Sequence, residues 1–347
     1  VQKAHERGMK VVLDAVYNHT GREFFAFADI LENGEKSKYR DWYFIDGFPL
    51  KSEWGEIPNF KCFGYYGGMP KLNLKNPEVE KYITDVACYW IKECDIDGWR
   101  LDVGDEISHF FWKNFRKAVK AVKKDMLIIG EIWHYAGDFL EGDEWDTVMN
   151  YPFYLNLIDL LADEKITVSQ FVQNLGYLKG RLHKNCYPLM WNLIDSHDTA
   201  RFLHLCNDNK KKQHLAAAFQ LLLPGMPMIY YGDEYAMPGA NDPDCRRGMY
   251  WDEEYQDKEM YEWYKRLIQV RKSHACIVEG ELAGSVTEDE EGTIVLIRKN
   301  GEETIAMIFN CSSSAKKFNE YTQKYNLLTE NTFDGNVEGV DAAVIVL

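Results

Sequence analysis

The sequence predicts a parallel α/β barrel followed by a small antiparallel β domain. Short apolar runs alternate with amphipathic, helix-length stretches over most of the chain. Two of the runs, at 97–103 and 127–133, carry one acidic residue where the apolar run ends. A buried parallel strand looks like this when its carboxyl end bears an active-site carboxylate. Past Ser273 the composition turns β-rich, with turn signals between the runs.

Each element follows in order. Residues 10–16 read as a strand, with Val11, Val12 and Leu13 apolar and Asp14 near its end. From 20 to about 71 the pattern is irregular and rich in Gly, Pro and aromatics, which marks a functional excursion or an inserted domain. Asn76-Pro77-Glu78 opens a helix, with Asn as cap and Pro at the first helical position. Val79, Ile83, Val86 and Trp90 give its expected buried stripe. A strand over 98–103 comes next. Ile107, Phe111, Phe115, Ala118 and Val122 then stripe a helix, and a strand over 127–131 follows. The alternation continues with a short strand at 147–149, a helix at 168–178 and a strand at 189–194 leading into Asp195-Ser196-His197-Asp198. A helix at 210–223, a strand at 228–231 and a long helix at 255–271 complete it. A barrel is the best fit to this repetition. Runs at 293–298 and 304–309 flank Lys299-Asn300-Gly301-Glu302, a hairpin signal, and 342–347 is a last strand. The expected division is therefore a barrel over 1–275, interrupted at about 20–72, and a β domain over 276–347.

Composition narrows the function. A net charge of −15 and a pI near 5.1 argue against a nucleic-acid partner, which requires a basic face. The 21 Tyr and 10 Trp supply a core and, in a cleft, rings that stack on sugars. Eight cysteines show no C-x-x-C pair and no zinc spacing, which points to reduced thiols in the cytoplasm. No apolar stretch is long enough to span a membrane. The chain begins Val1-Gln2-Lys3-Ala4, without Met, and reads as the end of a helix. The expectation is a piece of a longer protein, whose true N-terminus and any targeting segment lie outside this sequence.

The candidate site is built on carboxylates. Residues i and i+2 of a strand face one side, so Arg100 and Asp102 share a face, and the Arg favours an ionised Asp fit to act as a nucleophile. Glu131 follows Gly130 and precedes Ile132-Trp133. A carboxyl group in such an aromatic, partly dry setting keeps its proton and suits a general acid. Asp198 supplies a third carboxylate past another strand, and His19 and His197 each follow a strand, within reach of sugar hydroxyls. Asp14 reads as a brace rather than a catalytic group. Two carboxyl groups at neighbouring strand ends are the equipment for breaking a glycosidic bond.

Together these pieces resemble the α-amylase family of glycoside hydrolases. Asp14-Ala15-Val16-Tyr17-Asn18-His19, Gly98-Trp99-Arg100-Leu101-Asp102, Gly130-Glu131-Ile132-Trp133-His134 and Ser196-His197-Asp198 match four family motifs in the correct order. Met69-Pro70-Lys71-Leu72-Asn73, the stretch from Val148 to Phe153 and the stretch from Gly239 to Arg246 are similar to markers of the neopullulanase, cyclomaltodextrinase and maltogenic amylase branch. The resemblance implies a TIM (β/α)8 barrel lacking its first two βα units, an inserted domain after barrel strand 3, and a C-terminal antiparallel β-sandwich. It implies retaining hydrolysis of α-1,4 bonds in cyclodextrins, maltooligosaccharides, pullulan or starch, through a covalent glucosyl-enzyme. Asp102 would be the nucleophile, Glu131 the acid/base and Asp198 the transition-state stabiliser, with the paired carboxyl groups about 5–5.5 Å apart. Arg100, His19 and His197 would hold charge and hydroxyls, while Trp133 and Phe63 would line the sugar cleft. No cofactor is required. Calcium is left open, with Asn18 at a position some relatives use as a ligand. An α-glucan oligosaccharide is the implied partner, and the full-length protein is expected to form a homodimer. Two alternatives stand beside this reading. One is an α-glucosidase of the same family, acting on α-1,4 or α-1,6 bonds. The other is a non-catalytic relative that binds sugar or supports a partner protein, against which the presence of all three carboxylates argues.

Overall fold

In the computed structural model, the four apolar runs nearest the N-terminus form parallel strands lying side by side in chain order: β1 (Val12–Ala15), β2 (Gly98–Leu101), β3 (Leu127–Gly130) and β4 (Thr147–Val148). The structure describes residues 1–51, 55–183 and 185–347. Every residue of β2 is buried, as expected of a strand covered on both faces. Gly130 at the end of β3 is required by packing. A Cβ there would lie 2.2 Å from the ring of Trp145, which is buried and stacks on Phe139 with ring centres 4.0 Å apart.

Helices Pro77–Cys94 and His109–Val122 connect these strands. Asn76 and Ser108 cap them by accepting from the N–H groups of Glu78 and Phe111. Their buried faces differ from the expected stripes. Val79, Ile83, Ala87 and Ile91 face inward on the first, while Trp90 is exposed. On the second the buried residues are Phe111, Trp112, Phe115 and Val119. The 20–72 excursion contains a helix, Phe25–Asn33, that the irregular pattern hid. Isolated antiparallel bridges pair His19 with Lys71, Tyr43 with Leu72, Ile45 with Phe60 and Cys62 with Pro70. Residues 52–54 of this segment lie outside the described residues.

The chain divides into two compact units, residues 1–132 with 136–149, and residues 133–135 with 150–347. In the second, β5 (Trp191–Asn192) and β6 (Met226–Pro227) pair in parallel. The strand expected at 228–231 is not one. The Gln220 side chain donates to the Met228 carbonyl at 2.7 Å and Arg201 to the Tyr231 carbonyl at 2.8 Å, so side chains satisfy groups a neighbouring strand would have taken. A helix unmarked by periodicity, Tyr151–Leu157, starts at the cap Asn150. Helices Val168–Arg181, Lys210–Leu222 and Lys258–Ser273 follow.

The tail is an antiparallel sheet. Its strands are β7 (Glu281–Glu288), β8 (Thr293–Asn300), β9 (Glu303–Asn310), β10 (Lys316–Lys317), β11 (Tyr325–Asn326), β12 (Asn331–Thr332), β13 (Asn336–Val337) and β14 (Asp341–Val346). Six of them run in the order β12-β11-β14-β9-β8-β7, and β10 pairs with β13. The β8–β9 hairpin turns at Gly301, whose φ is +60°. Alternation splits its residues between two cores. Ile294, Leu296, Ile305, Met307 and Phe309 pack toward the helices, with Phe309 stacked on Phe219 at 4.2 Å. Val295, Ala306 and Ile308 pack against Phe318, Phe333 and Val337. Edge strand β7 escaped the sequence reading because it is largely exposed and carries little apolar alternation. Among the described residues, no helix is long and apolar enough to cross a membrane.

Candidate active site

Parallel register positions the first group of candidates. Asp14 lies opposite Arg100, and Leu101 opposite Gly130, so Asp14, Asp102 and Glu131 stand at the carboxyl ends of three adjacent strands. Arg100, 9% exposed, stands among them. Its Nη1 donates to Asp14 Oδ1 and to Asp102 Oδ1, both at 2.8 Å, and its Nη2 lies 2.9 Å from Glu131 Oε1. One guanidinium thus bridges the two carboxyl groups singled out from sequence and limits how far apart they can stand. Burial opposes the charge on Arg100, but Glu131, Asp14 and Asp102 outweigh it and raise its pKa above the ordinary arginine value.

Glu131 is buried. Its partners are polar: Arg100 on Oε1 and, on Oε2, the Val103 N–H at 3.0 Å. One guanidinium thus faces three carboxyl groups. Glu131 has the most buried side chain of the three, 7% exposed against 19% for Asp102 and 55% for Asp14. Asp14 braces Arg100 rather than the loop after it. Val103, next to Asp102, takes φ 48°, a left-handed conformation costly for a β-branched residue.

The His19 and Phe63 rings stack, with centres 5.2 Å and planes 3° apart. Burial holds the His19 pKa below the usual value, against the pull of Asp102 and Glu106, and so favours a neutral imidazole. Asn18 does not fit calcium. Its Oδ1 accepts from Lys71 Nζ at 2.7 Å, and its Nδ2 donates to Glu106 Oε2 at 3.3 Å. Calcium needs six to eight oxygen ligands, whereas an ammonium already lies against this one. Among the described residues no cluster of three or more His, Cys, Asp or Glu is arranged to hold a metal.

The second unit assembles the remaining candidates. Asp198 lies 3.0 Å from His197 Nε2 through Oδ2 and 3.2 Å from Arg246 Nη2 through Oδ1. Arg246 Nε also donates to the His197 carbonyl at 2.9 Å. Ser196 is fully buried, and its Oγ accepts from the Asp198 N–H and pairs with the Tyr151 hydroxyl at 3.0 Å. Trp133, half-exposed, stacks on Tyr151 at 4.0 Å. Sequence reasoning missed Lys71, Arg246 and Tyr151 as site residues. Each sits in a stretch quoted for its resemblance, but the partners Asn18, Glu106, Ser196 and Asp198 lie 35 to 53 residues away, and no local signal reports such a pairing.

Two carboxyl groups bridged at the ends of adjacent parallel strands are an arrangement that acid/base hydrolysis can use. Comparison with known proteins makes this specific. Residues 1–256 match the alpha amylase catalytic-domain model, and the chain belongs to that family. It is 46% identical over 315 residues to a cyclomaltodextrinase of Geobacillus thermopakistaniensis, an alignment covering 91% of this chain and 53% of that protein. It is 42% identical over 311 residues to neopullulanase 2 of Thermoactinomyces vulgaris, covering 89% and 53%. A solved cyclomaltodextrinase structure superposes with a TM-score of 0.94 at 38% identity, over 99% of this chain and 61% of that one. The chain thus spans about half the length of the curated relatives it matches. The fold is a TIM barrel with an antiparallel C-terminal sheet.

Proposed function

We propose that this chain carries the catalytic machinery of a retaining hydrolase acting on α-1,4-glucosidic bonds of cyclodextrins, maltooligosaccharides, pullulan or starch. The observation that carries the reading is the Arg100 bridge between Asp102 and Glu131. Asp102 attacks the anomeric carbon while Glu131 gives its proton to the departing glycosidic oxygen, leaving a glucosyl ester on Asp102. Glu131, now a carboxylate, takes a proton from the water that attacks the same carbon, and Asp102 is released. Asp198, oriented by His197 and Arg246, stabilises the positive charge that develops on the sugar. His19 and His197 hold sugar hydroxyls, Arg100 fixes the nucleophile, and Trp133 and Phe63 line the sugar cleft. The names of the relatives support the substrate class.

In this reading 20–72 is the inserted domain of a barrel occupying 1–275, and 276–347 is the C-terminal β domain. Eight cysteines, all free, support a reducing cytoplasmic location. The branch resemblance supports a homodimer of the full-length protein. The test is incubation of the full-length protein, Asp102→Asn and Glu131→Gln with β-cyclodextrin, pullulan and soluble starch, with separation of products and NMR of the first anomer formed. Cleavage lost in both variants, with an α-anomeric first product, is the expected result. Activity surviving in either variant overturns the site, a β-anomer overturns retention, and an inactive wild type favours the non-catalytic alternative.

A further inference from the structure

We propose that the Lys71 ammonium is a resident cation, built into the chain where the resemblance left room for calcium, and that it is a positioning residue for the Asp102 turn and the His19 segment. The inference rests on the reading of Asp102 and His19 as catalytic machinery.

Lys71 Nζ donates to Asn18 Oδ1 at 2.7 Å, to Glu106 Oε2 at 2.7 Å and to the Glu106 carbonyl at 3.1 Å. An ammonium has three N–H groups and no acceptor, so three oxygens satisfy it fully. Asn18 is completely buried, which leaves its amide oxygen no water to replace this donor. The segment carrying Lys71 is itself fixed. The Leu72 N–H donates to the Asn18 carbonyl at 3.0 Å, Thr20 to Pro70 at 3.1 Å and Lys71 to Lys61 at 2.9 Å. Three segments distant in sequence therefore converge on one charge: the stretch after β1 that bears His19, the strap around Lys71, and the turn Gly104–Glu106 just past Asp102.

That turn needs outside support. It begins from Val103 at φ 48°, a conformation that persists only when its surroundings over-determine it. The Val103 N–H in turn donates to Glu131. Lys71 holds the far end of the turn through two Glu106 oxygens, so it acts on the catalytic carboxyls through the backbone and touches neither of them in the described contacts. Removing the lysine side chain would leave the Asn18 amide oxygen, the Glu106 carbonyl and the Glu106 carboxylate around a vacated space. Those are hard oxygen donors of the kind calcium takes, short of a full set, so waters would complete it and affinity would be roughly millimolar.

The experiment uses the full-length wild type with Lys71→Ala, Lys71→Met and Lys71→Arg. Melting is followed in EDTA and across a calcium titration, beside kcat and KM on β-cyclodextrin. The wild type should melt and turn over alike in EDTA and in calcium. Lys71→Ala should lose about ten- to hundredfold in kcat with little change in KM, and calcium should raise both its melting temperature and its kcat. Lys71→Met should share the loss and gain nothing, because its chain fills the space. Lys71→Arg should retain more kcat than either. A wild type inactivated by EDTA and restored by calcium overturns the resident cation. So does a Lys71→Ala melting temperature that calcium leaves unmoved, and wild-type kcat in Lys71→Ala overturns the positioning role. Melting does not depend on turnover, so a wrong substrate assignment leaves the cation result readable.

Discussion

Arg100→Met removes a guanidinium lying within 2.8–2.9 Å of oxygens on Asp14, Asp102 and Glu131. With charge centres about 4 Å apart and an effective dielectric of about 20, each pair is worth roughly 4 kcal/mol before desolvation. Taking the guanidinium out of water cancels much of that sum, and breaking a buried pair costs about 3–5 kcal/mol net. The lower end applies here, because solvent screens the half-exposed Asp14. We expect a loss of about 3 kcal/mol at neutral pH, and kcat lower by about a hundredfold as Asp102 loses its orientation. Urea denaturation at neutral pH, beside steady-state kinetics on β-cyclodextrin, measures both effects. Stability within about 1 kcal/mol of wild type, together with unaltered kcat, would refute the bridging role.

Two further outcomes test other parts of the molecule. Burial lowers the His214 pKa from 6.5 to about 4, with the ring stacked on Trp263 at 4.0 Å. Its contribution is complete above about 6.5, where the unfolded histidine is also neutral. Between about 6.5 and 4 the unfolded chain binds the extra proton, so stability should fall with pH by up to roughly 3 kcal/mol. His214→Phe keeps the stack and should flatten that limb in denaturant titrations, and an unchanged limb assigns the effect to another group. Arg246→Ala loses its contacts to Asp198 and to the His197 carbonyl. Because Arg246 is itself largely exposed, melting should barely change while kcat/KM falls about tenfold. An unchanged kcat/KM would show that His197 alone orients Asp198.

The strands that were easiest to read carry a local apolar signal. The runs ending near Asp14, Asp102 and Glu131 are short, apolar and flanked by polar residues, and each forms a parallel strand. The helix cap Asn76 is likewise local chemistry. Legibility fails where a partner far along the chain decides. Residues 228–231 look like a strand, yet side chains of Gln220 and Arg201 take their carbonyls. Trp90 looks like a core residue, yet the helix turns Ala87 and Ile91 inward and leaves the indole exposed.

The same division runs through the site. The residue types and their order along the chain identify the family, because four motifs joined by strand–helix spacing constrain sequence locally. The electrostatics could come only from the tertiary structure. Glu131 shares the Arg100 guanidinium with Asp14 and Asp102. Asn18 meets the Lys71 ammonium in place of an ion, and Arg246 reaches Asp198 from 48 residues away. Each of these depends on where a long flexible side chain ends. Strand period, helix period and capping signals set where the backbone goes, and they carry no information about that endpoint.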